Sequence, residues 1–313
     1  MTDNPQPPVL VVAGPTASGK SALALDLAVA FGGTVINADS MQVYRELRVL
    51  TARPSPADEA RVPHRLYGVV SVAEGCSAAR WREMALAEIA AARSAGRLPI
   101  LCGGTGLYLR ALMDGLSPVP AVPAAVRDGL RARLRSEGVA ALHRQLMADD
   151  PAMAARLNPA DGQRVLRALE VLQATGRSLA DWQAAAGTTG PECQVVLLDP
   201  PRPELHAAIA VRAERMLAEG ALDEVGLLAG LGLSPDLPAM KAVGVPALLS
   251  HLRGDLTLDA AEERLAIATR QLAKRQATWF RHQIIANFTS LEKYSERILD
   301  KIFLFVREKV LTP

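Results

Sequence analysis

The segment Gly14-Pro15-Thr16-Ala17-Ser18-Gly19-Lys20-Ser21 fits G-x-x-x-x-G-K-[ST], a loop that binds the phosphates of a di- or triphosphate. Its chemistry is that of an anion nest. Successive backbone N–H groups gather at a helix N-terminus, where the helix dipole favours negative charge. Lys20 adds a point charge to the phosphates, and the Ser21 hydroxyl suits ligation of Mg2+. An apolar run, Val9–Ala13, precedes the loop and an Ala/Leu helical pattern follows it, the context this chemistry requires. The motif specifies a phosphorylated ligand and leaves the reaction open.

Other residues with chemical potential sit at similar junctions. Asp39, in Asn37-Ala38-Asp39-Ser40-Met41-Gln42, is the first charge after an apolar run. Ligands of open parallel sheets lie beyond the carboxyl ends of strands, so Asp39 is expected to face the crevice of the phosphate loop. Its alternative role is a plain helix N-cap. In Gly103-Gly104-Thr105-Gly106 the glycines permit close backbone approach, and Thr105 either reaches a ligand or caps the next helix. Asp199 follows four apolar residues in the manner of a magnesium-binding strand end, a pattern common in any α/β protein. Arg212 and Arg215 follow on a helix, as candidates for phosphate contact or as solvated surface. Arg270, Lys274 and Arg281 share one face of a helix, which reads as a solvated face or as a stripe on a nucleic-acid backbone. Gln163, Arg164 and Arg167 share a helix with Leu166, Leu169 and Leu172, the apolar positions forming core and the polar ones free to act.

The elements that must position these residues read as alternating strands and helices. Strands are expected at Val9–Ala13, Thr34–Ala38, Leu66–Val72, Leu98–Cys102 and Gln194–Leu198. Helices are expected at Lys20–Phe31, Ser77–Ala95, Gly106–Leu112 and Glu204–Glu219. Dense Val/Ile/Leu runs without clean alternation fit a parallel sheet buried on both faces. Proline-rich Ser117–Pro123 interrupts this rhythm, and Ala124–Ala186 holds no strand candidate before Gly187–Pro191 returns the chain to the sheet. The fold class is therefore α/β: a phosphate-loop parallel-sheet core at 1–117 and 191–290, with an all-helical insertion at 118–190. Residues 291–313 read as an appended tail helix.

Composition agrees with a globular protein. The 313 residues are 50% hydrophobic and 22% charged with a net charge of +2, enough apolar material for a sizeable core. The charge is too small to announce a polyanionic partner, so any such partner must meet a local patch. No apolar run is long enough for a membrane helix, and the start, MTDNPQPPVL, lacks the layout of a secretory signal. Three separated cysteines (Cys76, Cys102, Cys193) read as reduced thiols of a cytoplasmic protein. The histidines have no metal-ligand spacing.

Taken together, the motifs resemble the tRNA dimethylallyltransferases, also called tRNA isopentenyltransferases. The strings that carry the resemblance are GPTASGKS, ADSMQVYRELRVLTARPS, VPHRLYGVVSV, GGTGLYLRALMDGLSP, GQRVLRALEVLQATGR, PAMKAVGV and TRQLAKRQATWFR, in order from about residue 9 to 281. The resemblance implies transfer of a dimethylallyl group from dimethylallyl diphosphate to N6 of the adenosine 3′ to the anticodon, in tRNAs reading codons that begin with U. It implies a catalytic group of Asp39, Thr105 and Arg212, with Asp39 as the base facing N6. The loop Gly14–Ser21 would hold the diphosphate, with Mg2+ on Ser21 and no need for ATP. Contacts to the tRNA anticodon stem-loop would come from Asp39, Ser40, Met41, Gln42, Thr105, Arg127, Gln163, Arg164, Val165, Leu166, Arg167, Lys241, Arg270 and Lys274. The enzyme would act as a monomer. Two departures stand out: Val245-Pro246-Ala247 replaces the family's usual Tyr-Arg-Gln, and the tail after Arg281 is unlike the family. Rival classes are a phosphate-loop kinase of a small metabolite and a nucleotide-binding switch module, neither of which needs tRNA.

Overall fold

The computed structural model describes residues 7–185 and 189–311. Residues 1–6, Ala186–Thr188 and 312–313, with the ends of the expected insertion and tail, lie outside them. The chain divides into two compact units, Asp114–Thr189 and the remainder.

The larger unit is built on six strands: β1 (Val9–Ala13), β2 (Gly33–Asn37), β3 (His64–Arg65), β4 (Leu98–Gly103), β5 (Cys193–Leu198) and β6 (Phe288–Ser290). They form one parallel sheet in the order β3-β2-β4-β1-β5-β6, with Val11 opposite Leu101 on one side and Val195 on the other. Every residue of β1 is fully buried, because both faces are covered. Side-chain alternation divides the core in two. Val9, Val11, Ala13, Leu101 and Val195 point to one side, covered by α3 (Ala78–Ser94), α4 (Gly106–Met113), α10 (Arg202–Ala218), α11 (Ala221–Gly230), α12 (Val245–Leu252) and α13 (Leu258–Gln283). Leu10, Val12, Ile100, Val196 and Leu198 point to the other, covered by α1 (Lys20–Phe31) and α14 (Glu296–Val306).

Two expectations need correction. Leu66–Val72 is not a strand. Leu66 takes a φ of 62° and Gly68 one of 61°, so the backbone turns where an extended run was expected. Only His64–Arg65 pairs in β3, and Val70 makes a single bridge to Tyr44. The apolar pattern there marks burial, since Leu66, Val70 and Val72 all enter the core. The short helix α2 (Pro56–Arg61) precedes β3, held by a reciprocal Ser55–Asp58 capping box.

The tail is no appendage. β6 extends the sheet beyond β5, and Ile298, Ile302, Val306 and Val310 at four-residue spacing are buried against Leu23, Leu27 and Leu198. Phe303 meets Phe31 edge to face, with ring centroids 5.1 Å apart.

The smaller unit is all helix: α5 (Ala124–Glu137), α6 (Val139–Asp149), α7 (Pro151–Ala154), α8 (Gly162–Thr175) and α9 (Leu179–Ala184). Its core gathers Leu130, Leu142, Leu146, Val165, Leu169 and Val171.

A stability prediction follows from the docked tail. Ile302 is fully buried, so Ile302→Ala is expected to cost about 2–5 kcal/mol of unfolding free energy. Urea denaturation checks this, and an unchanged midpoint would mean that α14 contributes nothing to the core.

Candidate active site

Four strand ends converge above the sheet, as crossovers on both sides of β1 require. β1 runs into the phosphate loop. The loop's shape depends on left-handed backbone at Ala17 (φ 67°) and Gly19 (φ 89°), which turns successive N–H groups inward. Gly19 is the N-cap of α1 and no side chain caps that helix, nor does its first turn hold an acid. The helix end is thus left to an anionic ligand. The loop borders a cavity of about 1420 Å3 whose lining includes Thr16, Lys20, Ser21, Asp39, Tyr67 and Arg212.

The electrostatics of that lining point one way. Burial pulls the Lys20 ammonium below its ordinary lysine value, opposed by nearby Asp39. Burial likewise lowers Arg212, whose Nη2 donates to Thr16 Oγ1 at 2.6 Å. Two cations held in a poorly solvated place favour a multiply charged anion between them. Cys102, beside Lys20 at the end of β4, has its thiol pushed up to about 11 by burial, so it stays protonated and inert near neutrality.

Asp39 is presented by a turn that its neighbours build. Asn37, fully buried at the end of β2, accepts from Asp39 N at 2.8 Å and donates to the carbonyls of Asp39 and Leu66. Trp81 Nε1 donates to the Asn37 carbonyl. One oxygen of Asp39 accepts from Met41 N at 2.9 Å, and the carboxylate borders the cavity. Thr105 stands next to this turn but spends its hydroxyl there, accepting from Ser40 N at 2.9 Å and meeting Ser40 Oγ at 3.2 Å. It positions the Asp39 turn from the side and is absent from the cavity lining.

The other expected residues separate into those near the cavity and those elsewhere. Gln42 borders it, with its amide donating to the carbonyls of Thr51 and Ala52, while Met41 packs on the core. Lys241 closes a 3-10 turn, 3.4 Å from Asp236. Lys274 is exposed and Arg270 half-buried on α13. Arg281 leaves the expected stripe, since it pairs with Asp199 at 2.7 Å. That pair also removes Asp199 as a magnesium ligand: the carboxylate is buried, engaged by a guanidinium and not part of the cavity lining. In the helical unit, Gln163 and Arg164 are exposed, Arg167 pairs with Glu170, and Arg127 lies on α5. Leu166 is half-buried against that unit's core, and Val165 is fully buried within it, so Val165 packs and offers nothing to a partner. Val245, Pro246 and Ala247 form the first turn of α12, with Val245 in the core.

Several residues of the site carry no signal in the sequence. Tyr67 borders the cavity with its phenol held protonated by burial. Glu224 of α11 accepts from three successive amides, Arg48, Val49 and Leu50, and so pins the segment that continues the cavity wall. Gln276 of α13 accepts from Thr16 N at 2.8 Å and donates to the Gly104 carbonyl at 2.9 Å, tying the phosphate loop to the Thr105 loop. A Cβ on Gly104 would fall 2.3 Å from Gln276 Nε2, and one on Gly106 would strike the Trp279 ring. Gly104 and Gly106 are therefore packing requirements of α13, whereas Gly103 is required by the backbone of Ala38 after β2. The string RQATWFR holds Gln276 and Trp279, but only as part of a resemblance.

Among the described residues no group of three or more His, Cys, Asp or Glu side chains can hold a metal. The donor set beside Lys20 is the Ser21 hydroxyl. That fits Mg2+ only when phosphate oxygens of a ligand complete its shell, the usual habit of this ion.

Comparison with known proteins converges. Residues 42–283 match the family model described as IPP transferase. The chain is 61% identical over 282 residues to a tRNA dimethylallyltransferase of Rhodospirillum centenum, covering 89% of this chain and 90% of that one. Among solved structures, the full-length tRNA isopentenylpyrophosphate transferase of Bacillus halodurans is 32% identical, with a TM-score of 0.72 and 97% of both chains covered. Such coverage takes in most of the tail, so its backbone has a counterpart there, while the family model itself ends at residue 283. A eukaryotic dimethylallyltransferase described in the act of modifying tRNA gives a TM-score of 0.80 at 26% identity, covering 96% of this chain and 80% of its own.

The tie through Gln276 can be tested directly. Gln276→Leu leaves the Thr16 amide and the Gly104 carbonyl buried and unpaired, at about 1–3 kcal/mol each. The expected outcome is a lower melting temperature and an inorganic diphosphate affinity about tenfold weaker by calorimetry. Unaltered affinity in the folded variant would show that the loop holds its shape without α13.

Proposed function

The chain belongs to the IPP transferase family, and on that premise we propose that it transfers a dimethylallyl group from dimethylallyl diphosphate to N6 of the adenosine 3′ to the tRNA anticodon, releasing diphosphate. The observation that carries the reading is that one cavity is bordered by both the phosphate loop and Asp39, with Lys20 and Arg212 also in its lining. The substrate tRNAs are those reading codons that begin with U. The enzyme acts in the cytoplasm as a monomer; among the described residues no helix is long and apolar enough to cross a membrane.

Prenyl transfer breaks the allylic C–O bond, and negative charge gathers on the departing diphosphate. The loop's remaining backbone N–H groups (Pro15 has none, and Thr16 gives its own to Gln276), with Lys20 and Arg212, bind that charge more strongly as it develops, which lowers the barrier rather than merely holding the substrate. Ser21, with phosphate oxygens of the ligand, would hold Mg2+, which would neutralise further charge on the leaving group. A phosphate loop can serve in this way without nucleotide turnover, because its amides recognise diphosphate oxygens and nothing in them demands a γ-phosphate.

The acceptor is a weak nucleophile, since the N6 lone pair is delocalised into the purine. Asp39 takes the N6 proton as the new C–N bond forms. One of its oxygens is engaged by Met41 N, which leaves acceptor capacity for that proton on the cavity side. The adenine leaves its stack to enter, at a cost of a few kcal/mol. Ser40–Gln42, Lys241, Arg270 and Lys274, with Arg127, Gln163, Arg164 and Arg167 of the helical unit, serve the tRNA.

Asp39→Asn keeps the shape of the side chain and removes its basicity. Single-turnover transfer with both substrates saturating is expected to fall by roughly 10²–10⁴, with little change in the binding of either. A near-normal rate would move the base elsewhere and leave Asp39 as a turn-forming residue.

A further inference from the structure

β6 delivers the segment after Ser290 to the back of the phosphate loop. Tyr294 N donates to the Ser18 carbonyl at 3.3 Å. A Cβ on Gly19 would lie 2.7 Å from the Cβ of Tyr294, so the tail backbone is seated directly on the turn that presents the anion nest. The Tyr294 hydroxyl donates to Asp26 on α1 at 2.5 Å, and Asp26 also lies 3.7 Å from Arg61. The segment is thus fixed at both ends, by sheet pairing at Ser290 and by Tyr294 on the loop.

Between those anchors stands Lys293, which borders the same cavity as Gly19, Lys20, Ser21 and Arg212. Of the acids in that lining, Asp26 is engaged by Tyr294 and Arg61, and Glu219 lies 3.6 Å from Arg215. An ammonium held at the rim of an anion nest, on a short tether clamped to the nest itself, is placed to meet an anion that the nest binds.

We propose that Lys293 is a further diphosphate-binding residue, contributed by the C-terminal segment to the site that the phosphate loop forms. The inference rests on the diphosphate reading above. It changes the role of the tail, which supplies a cation to the ligand as well as apolar surface to the core. The contact would be made to the diphosphate in substrate and in product alike, so it strengthens binding more than turnover. Its exposure keeps the effect modest.

The test is calorimetric titration of the full-length protein with inorganic diphosphate and Mg2+, together with steady-state transfer. Lys293→Met is expected to weaken diphosphate binding by about three- to fivefold. It should raise KM for dimethylallyl diphosphate in proportion with kcat nearly unchanged, and Lys293→Arg should restore both. Lys301→Met, which removes an exposed charge outside the cavity lining, is the control for general electrostatics and should leave binding unaltered. Lys20→Ala separates the two levels. If it fails to weaken diphosphate binding, the diphosphate reading itself falls. If Lys20→Ala weakens binding while Lys293→Met matches the unaltered protein, or matches the effect of Lys301→Met, Lys293 is only a solvated surface residue.

Discussion

One buried amide holds the site in register. Gln276 accepts from Thr16 in the phosphate loop and donates to Gly104 in the loop that carries Thr105. Thr105 in turn bonds Ser40, next to Asp39. Hydrogen bonds joined by single backbone steps, Gly104 to Thr105 and Ser40 to Asp39, therefore connect the phosphate loop to the turn that carries the carboxylate. Breaking this connection at Gln276 would leave two buried backbone groups unpaired, which is why a residue of this shape and polarity belongs there.

The same geometry explains how a fold associated with nucleoside triphosphates suits prenyl transfer. The loop supplies amides, Lys20 and Arg212 supply charge in a poorly solvated place, and the nearby strand end supplies a carboxylate. None of these groups depends on what is attached to the diphosphate. In the proposed reaction, identity would come from the second substrate and from Asp39, and rate from stabilising the leaving diphosphate on the loop.

Much of this was legible in the sequence. The phosphate loop, Asp39 and the glycine loop lie at strand ends, and strand ends in parallel sheets are marked by the abrupt stop of an apolar run. Three features were not legible, each for a physical reason. Leu66–Val72 has the apolar content of a strand, but a left-handed turn at Leu66 is invisible to hydrophobicity. Asp199 has the position of a metal ligand, but its partner Arg281 is contributed from 82 residues away. The tail looked foreign because its composition changes, although Ile298, Ile302 and Val306 keep the spacing that buries one helix face. For Leu66 and Asp199 a backbone turn or a distant contact that leaves no local trace decided the outcome, whereas the tail's helical spacing is in the sequence and only its docking is not.

Incubation of the purified protein with labelled dimethylallyl diphosphate and unmodified bulk tRNA, against ATP with small hydroxyl or amine acceptors, tests the central claim most directly. Nucleoside digestion is expected to place the label in N6-(dimethylallyl)adenosine beside the anticodon, with one diphosphate released per transfer and no turnover of ATP. ATP consumption with a small acceptor, and no label in tRNA, would contradict it.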